Sequence, residues 1–189
     1  MTMIIYLALG LVFDAILSSV IPVDFASVRL SMVSHMAFMG VILLVYKMNL
    51  TRALIIAALL GLIIDLGHEG YITLHALVYV ATVIISRYWS SQVNDEYTEL
   101  TILLILSVFI KELIIWALMR MGGMSSMSML VWFTQHQALS LLFNVPLAII
   151  MIQFNFIRLR IIARQNYARQ KGESLFLLKL ESRVPNDMV

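Results

Sequence analysis

The sequence holds no cysteine, which excludes disulfides, thiol chemistry and cysteine metal sites. Charge is scarce too: 13% of the residues are charged against 61% hydrophobic, and a domain wetted by water carries roughly 25% charge. Mean hydropathy is +0.94, so lipid is the solvent for most of the chain. No Lys or Arg precedes the apolar run that starts at Met3, and Ser18, Ser19, Val20, Ile21 and Pro22 form no small-x-small cleavage site. The run therefore reads as a retained helix rather than a removable signal peptide. Also missing are a phosphate-binding glycine loop, a His-Glu-x-x-His helix, a Gly-x-Ser-x-Gly elbow and a repeated half with paired helix breaks of the transporter kind. The chain is expected not to be an enzyme and to need no cofactor, metal or nucleic acid.

What remains is a series of apolar runs. A bilayer core takes roughly 17 to 25 apolar residues per helix, and backbone facing lipid must satisfy its own hydrogen bonds. The expectation is an all-α integral membrane protein, a six-transmembrane-helix bundle with spans at residues 3–21, 30–46, 50–66, 71–86, 100–119 and 138–156. Residues 1–157 form the membrane domain and 158–189 a basic cytoplasmic tail. Residues 129–133 are too short to cross and are placed at the interface beside Trp132.

Positive charge sets the orientation. With the N-terminus inside, Lys47, Arg52, Arg87, Arg158, Arg160, Arg164, Arg169, Lys171, Lys179 and Arg183 all fall on the cytoplasmic side, leaving Arg29 and Arg120 outside and Lys111 buried. Both termini are then cytoplasmic.

Charge inside the apolar runs is the main chemical signal. Asp14 lies in span one, Asp65 at the outer end of span three, and Lys111 with Glu112 in mid-span five, each costing about 2.5 to 3.5 kcal/mol to insert. With His35 and His75 they form an expected intramembrane polar network, read either as a buried ion-pair lock around Lys111 or as an outward polar cavity for a solute or a partner's side chain. No spacing supports a metal. Ala53, Ala57 and Gly61 recur every fourth residue and make a packing stripe, for another helix of the chain or for a partner. Arg158, Arg160 and Arg164 alternate with Ile and Leu as a membrane-surface anchor, worth about 1 kcal/mol per basic residue. The apolar run Leu175 to Leu178 either lies on the bilayer or binds a cytoplasmic partner.

The passage Gly61-Leu62-Ile63-Ile64-Asp65-Leu66, then Gly70 and Leu74-His75-Ala76-Leu77-Val78-Tyr79, resembles the signature stretch of MreD, the rod-shape-determining membrane protein family of bacteria. Phe13-Asp14 with Leu17-Ser18, the pair Ser34-His35, and Lys111-Glu112-Leu113 are similar to other parts of that family. Thr73 stands where the family tends to have glycine. The resemblance implies a fold similar to the substrate-binding S components of energy-coupling-factor vitamin transporters, with no transport role. It implies a scaffold of the cell-wall elongation complex in the cell membrane, whose partners are MreC, the actin-like MreB, and a peptidoglycan synthase pair: a SEDS glycosyltransferase (the shape, elongation, division and sporulation class) with a class B transpeptidase. A vitamin-binding S component is the alternative, although the Ala-x-x-x-Ala docking stripe common in span one of such subunits is missing, Ala8 being followed by Val12 and Ala15 by Ser19.

Overall fold

A computed structural model of the chain describes residues 2–20, 33–67, 74–90, 93–94 and 96–181. Among these, all regular structure is helical: α1 (Thr2–Val20), α2 (Met36–Val45), α3 (Leu50–Gly67), α4 (Leu74–Ser90), α5 (Tyr97–Met121), the short α6 (Met129–Trp132), a π-helical stretch (Phe133–Gln137) and α7 (Ala138–Glu181). Three described stretches are long and apolar enough to cross a membrane: Met3–Val20, Tyr97–Met121 and the continuous run Met129–Lys171. Large apolar side chains cover their outer faces, among them Ile4, Val12, Ile16, Ile102 and Leu142. A soluble protein rarely leaves so much contiguous apolar surface open to water; this is a membrane protein by its surface as well as by its composition.

α2 is the centre of the bundle. Each of its ten residues is buried, and it touches α1, α3, α4, α5 and α7. A helix that is apolar all round belongs inside. Around it pack Tyr6 of α1, Ala53, Ala57 and Leu60 of α3, Tyr79 and Val83 of α4, Leu100, Leu104 and Val108 of α5, and Ala148, Met151 and Ile152 of α7.

Two expectations from the sequence change here. Span two is not helical over its expected length: Val33 to His35 have no regular structure and the helix begins only at Met36, so it is about 15 Å long, half of a roughly 30 Å hydrocarbon core. Its start is fixed by side chains from other helices, described below. Residues 129–133 are not a separate interfacial piece, because α6 and the π stretch run into α7 as one helix. α7 itself continues past residue 157 into the basic stretch without a break. Gly70 and Thr73 of the signature, Arg29, and residues 182–189 with Arg183 lie outside the described residues, as do the side chains of Leu175 to Leu178 and Lys179.

Candidate functional site

Asp14 sits in the second half of α1 and faces the start of α2. Its carboxylate accepts the backbone N–H groups of Met36 and Ala37, each at 2.8 Å, and the Ser34 hydroxyl at 2.5 Å. A helix leaves its first N–H groups without intrahelical partners and carries partial positive charge there. Asp14 meets both needs from another helix, and this sets the first residue of α2.

Asp65, near the end of α3, does the same for α4. It accepts the N–H of His75 at 3.0 Å and of Ala76 at 3.1 Å, and lies 2.7 Å from the His75 ring Nδ1. The glycine one turn before each aspartate is the second half of the device. A Cβ at Gly10 would lie 2.9 Å from the Cα of Ala37, and one at Gly61 would run into the backbone of His75 and Ala76. The two hairpins are thus built on one pattern. Gly10-Leu11-x-x-Asp14 meets Met36-Ala37, and Gly61-Leu62-x-x-Asp65 meets His75-Ala76, with glycine bringing the backbones together and aspartate closing the helix start. Ala53 and Ala57, on the same stripe as Gly61, are wholly buried.

The irregular residues before α2 have a second support. Val33 N–H donates to Ser140 Oγ at 3.2 Å, His35 N–H to Asn144 Oδ1 at 3.0 Å, and Asn144 Nδ2 returns to the Val33 carbonyl at 2.7 Å. Irregular backbone in a bilayer is tolerated only where protein satisfies it, and α7 satisfies this piece. At the other end of α2, Arg87 of α4 donates to the carbonyls of Val45 at 2.9 Å and Tyr46 at 3.2 Å. A cation there complements the negative end of the helix.

The third polar group is central. Lys111 of α5 is buried, with its ammonium 3.0 Å from Glu112 Oε1 and 2.9 Å from His35 Nδ1. Phe38 and Tyr79 place their rings 5.3 and 5.9 Å from the same nitrogen, within the range of cation–π attraction. An ammonium only donates, so His35 Nδ1 must accept, and the ring proton is assigned to Nε2. That nitrogen lies 3.2 Å from Glu112 Oε1, too oblique for a hydrogen bond. Lys111 thus bridges Glu112 and His35 and ties α5 to the start of α2.

The residues of the expected network, Asp14, His35, Asp65, His75, Lys111 and Glu112, make their hydrogen bonds in three clusters that remain within electrostatic reach of one another, His75 acting on both His35 and Glu112. Asp14 closes α2, Asp65 with His75 closes α4, and His35 with Lys111 and Glu112 links α2 to α5. The division follows from charge sign: helix N-termini attract carboxylates, which leaves Lys111 to its neighbour Glu112. Ser140, Asn144 and Gly10 were not singled out from the sequence, and Arg87 only as a charge that sets orientation. The signal for the first two was present, since Ser140 and Asn144 are polar one helical turn apart inside an apolar span.

At the basic end of the bundle, Arg158 donates to Asn155 at 2.8 Å and lies 5.3 Å from the centre of the Tyr6 ring. Arg160 and Arg164 are exposed. Among the described residues no group of His, Asp or Glu has the arrangement of a metal site. Comparison of the chain with protein-family models, with curated proteins and with solved structures finds no match.

Proposed function

We propose that the chain is a non-enzymatic, MreD-like scaffold of the bacterial cell membrane, crossing it six times with both termini cytoplasmic. In this reading it holds MreC, with MreB where present, beside the glycosyltransferase and transpeptidase that extend the cell wall. One observation carries the reading. The four charges singled out inside the apolar spans, Asp14, Asp65, Lys111 and Glu112, are all turned onto groups of the chain itself. Intramembrane charge turned onto helix starts and onto the Glu112–Lys111–His35 bridge builds a rigid body rather than a substrate site. The resemblance of the Gly61 to Tyr79 stretch supplies the identity of the partners, and the bias of Lys and Arg supplies the orientation.

The reading is tested by affinity purification of the tagged protein from membranes in mild detergent, followed by identification of what accompanies it. MreC and cell-wall synthases are the expected companions. Paired ATPases and a coupling subunit would instead overturn the scaffold in favour of a vitamin-transporter S component.

A further inference from the structure

Arg158 stands apart from the basic residues that follow it. Arg160 and Arg164 are exposed, whereas Arg158 is partly buried where α7 passes the start of α1. Its guanidinium carbon lies 5.3 Å from the centre of the Tyr6 ring. Tyr6 is itself buried, and its hydroxyl donates to the Met151 carbonyl of α7 at 3.4 Å. The chain thus builds a wall behind this arginine and fixes where its charge sits.

The chain does not neutralise that charge. A guanidinium has five N–H donors, and the hydrogen bond that Arg158 makes goes to Asn155 Oδ1, an uncharged amide, at 2.8 Å. Its Nε is sealed from solvent and has no hydrogen-bond partner. Among the described residues no carboxylate pairs with Arg158. A cation drawn partly out of water without a counter-charge is unfavourable, so the anion it lacks comes from outside the chain.

Depth decides which anion. Arg158 follows directly on Ile157, at the end of the last apolar run, where hydrocarbon gives way to lipid phosphates. The planar guanidinium fork matches the oxygens of one phosphate, which reaches Arg158 from its exposed side. A carboxylate of a soluble protein would have to enter the headgroup layer to reach the same place. Arg160 and Arg164 nearby favour a lipid of net negative charge over a zwitterion.

We propose that Arg158, backed by Tyr6 and Asn155, is a specific site for the phosphate of an anionic phospholipid. The site stands whether or not the chain is a scaffold. Native mass spectrometry of the full-length protein, released from detergent at rising lipid concentration, counts the lipids held. One phosphatidylglycerol should be held more tightly than any that follow, and phosphatidylcholine should not replace it. Arg158→Gln should weaken that first binding by about tenfold or more. Arg160→Gln with Arg164→Gln should weaken the later binding and spare the first. Equal retention of the two lipids, or loss of the tight lipid in the double variant, would overturn the proposal even if Arg158→Gln did not fold. Water-soluble dihexanoyl phosphatidylglycerol should raise the melting temperature in detergent, and inorganic phosphate at the same concentration should not. An equal rise with inorganic phosphate would assign the site to free phosphate, and displacement of the tight lipid by a soluble Glu-rich peptide would assign it to a protein; either overturns the lipid.

Discussion

Lys111 shows how a single charge can be kept in an apolar interior. Its partners are Glu112 on its own helix, the ring of His35 and two aromatic faces. Removing one member of a buried pair strands the other, at about 3 to 5 kcal/mol, whereas replacing both by neutral side chains of similar size is close to neutral. Lys111→Met should therefore lower the thermal stability of the detergent-solubilised protein sharply, and adding Glu112→Gln should restore most of it. A stable Lys111→Met protein that had lost only a binding activity would show that the lysine serves a ligand instead. From the sequence these charges could be placed within the apolar spans, where they are either paired with one another or lining an outward cavity, because isolated charge in hydrocarbon is so unfavourable. Which partner each takes was not legible, since His35 and Lys111 are 76 residues apart and the choice is made by packing.

At the scale of the element, α2 is held by residues distant in the chain. Asp14, Ser140 and Asn144 satisfy its beginning, and Arg87 its end. The bounds of α1, α3 and α5 could be read from their apolar runs to within about four residues, because each run ends in charge, glycine or proline. The short length of α2 could not. Leu30 to Tyr46 is broken only by Ser31, Ser34 and His35, and the carboxylate that sets its start is 22 residues upstream. Asn144→Leu should leave the His35 N–H and the Val33 carbonyl without their partners, at about 1 to 3 kcal/mol for each buried group. Ser140→Ala, which removes one acceptor, should do less. Melting of the two variants in the same detergent gives the order directly, and equal effects would remove Asn144 from this role.

In the whole molecule, the repeated Gly-Leu-x-x-Asp hairpin divides the first four helices into two similar units. It escaped notice in the sequence because the link from aspartate to the next helix is 22 residues in one unit and 10 in the other, so no fixed period appears. The glycines give its test. At Gly10 and Gly61 an added methyl meets backbone, which cannot swing aside, while at Gly40 it meets the end of the Met151 side chain at 3.0 Å. Gly10→Ala and Gly61→Ala should each destabilise by about 1 to 3 kcal/mol, as overpacking does. Gly40→Ala should be nearly silent, because methionine adapts. A Gly61→Ala protein as stable as the parent would mean that the two helices can separate freely.

The support that α7 lends to α2 also sets an order on biosynthesis. A ten-residue helix is too short to hold a transmembrane position alone, and its start is completed by residue 144, which leaves the ribosome about a hundred residues after α2 itself. Until then the segment before α2 has backbone groups without the partners it will have in the finished bundle. The centre of this protein is therefore among the last parts to settle, and a nascent chain halted before α7 would leave the translocon with its middle unfinished.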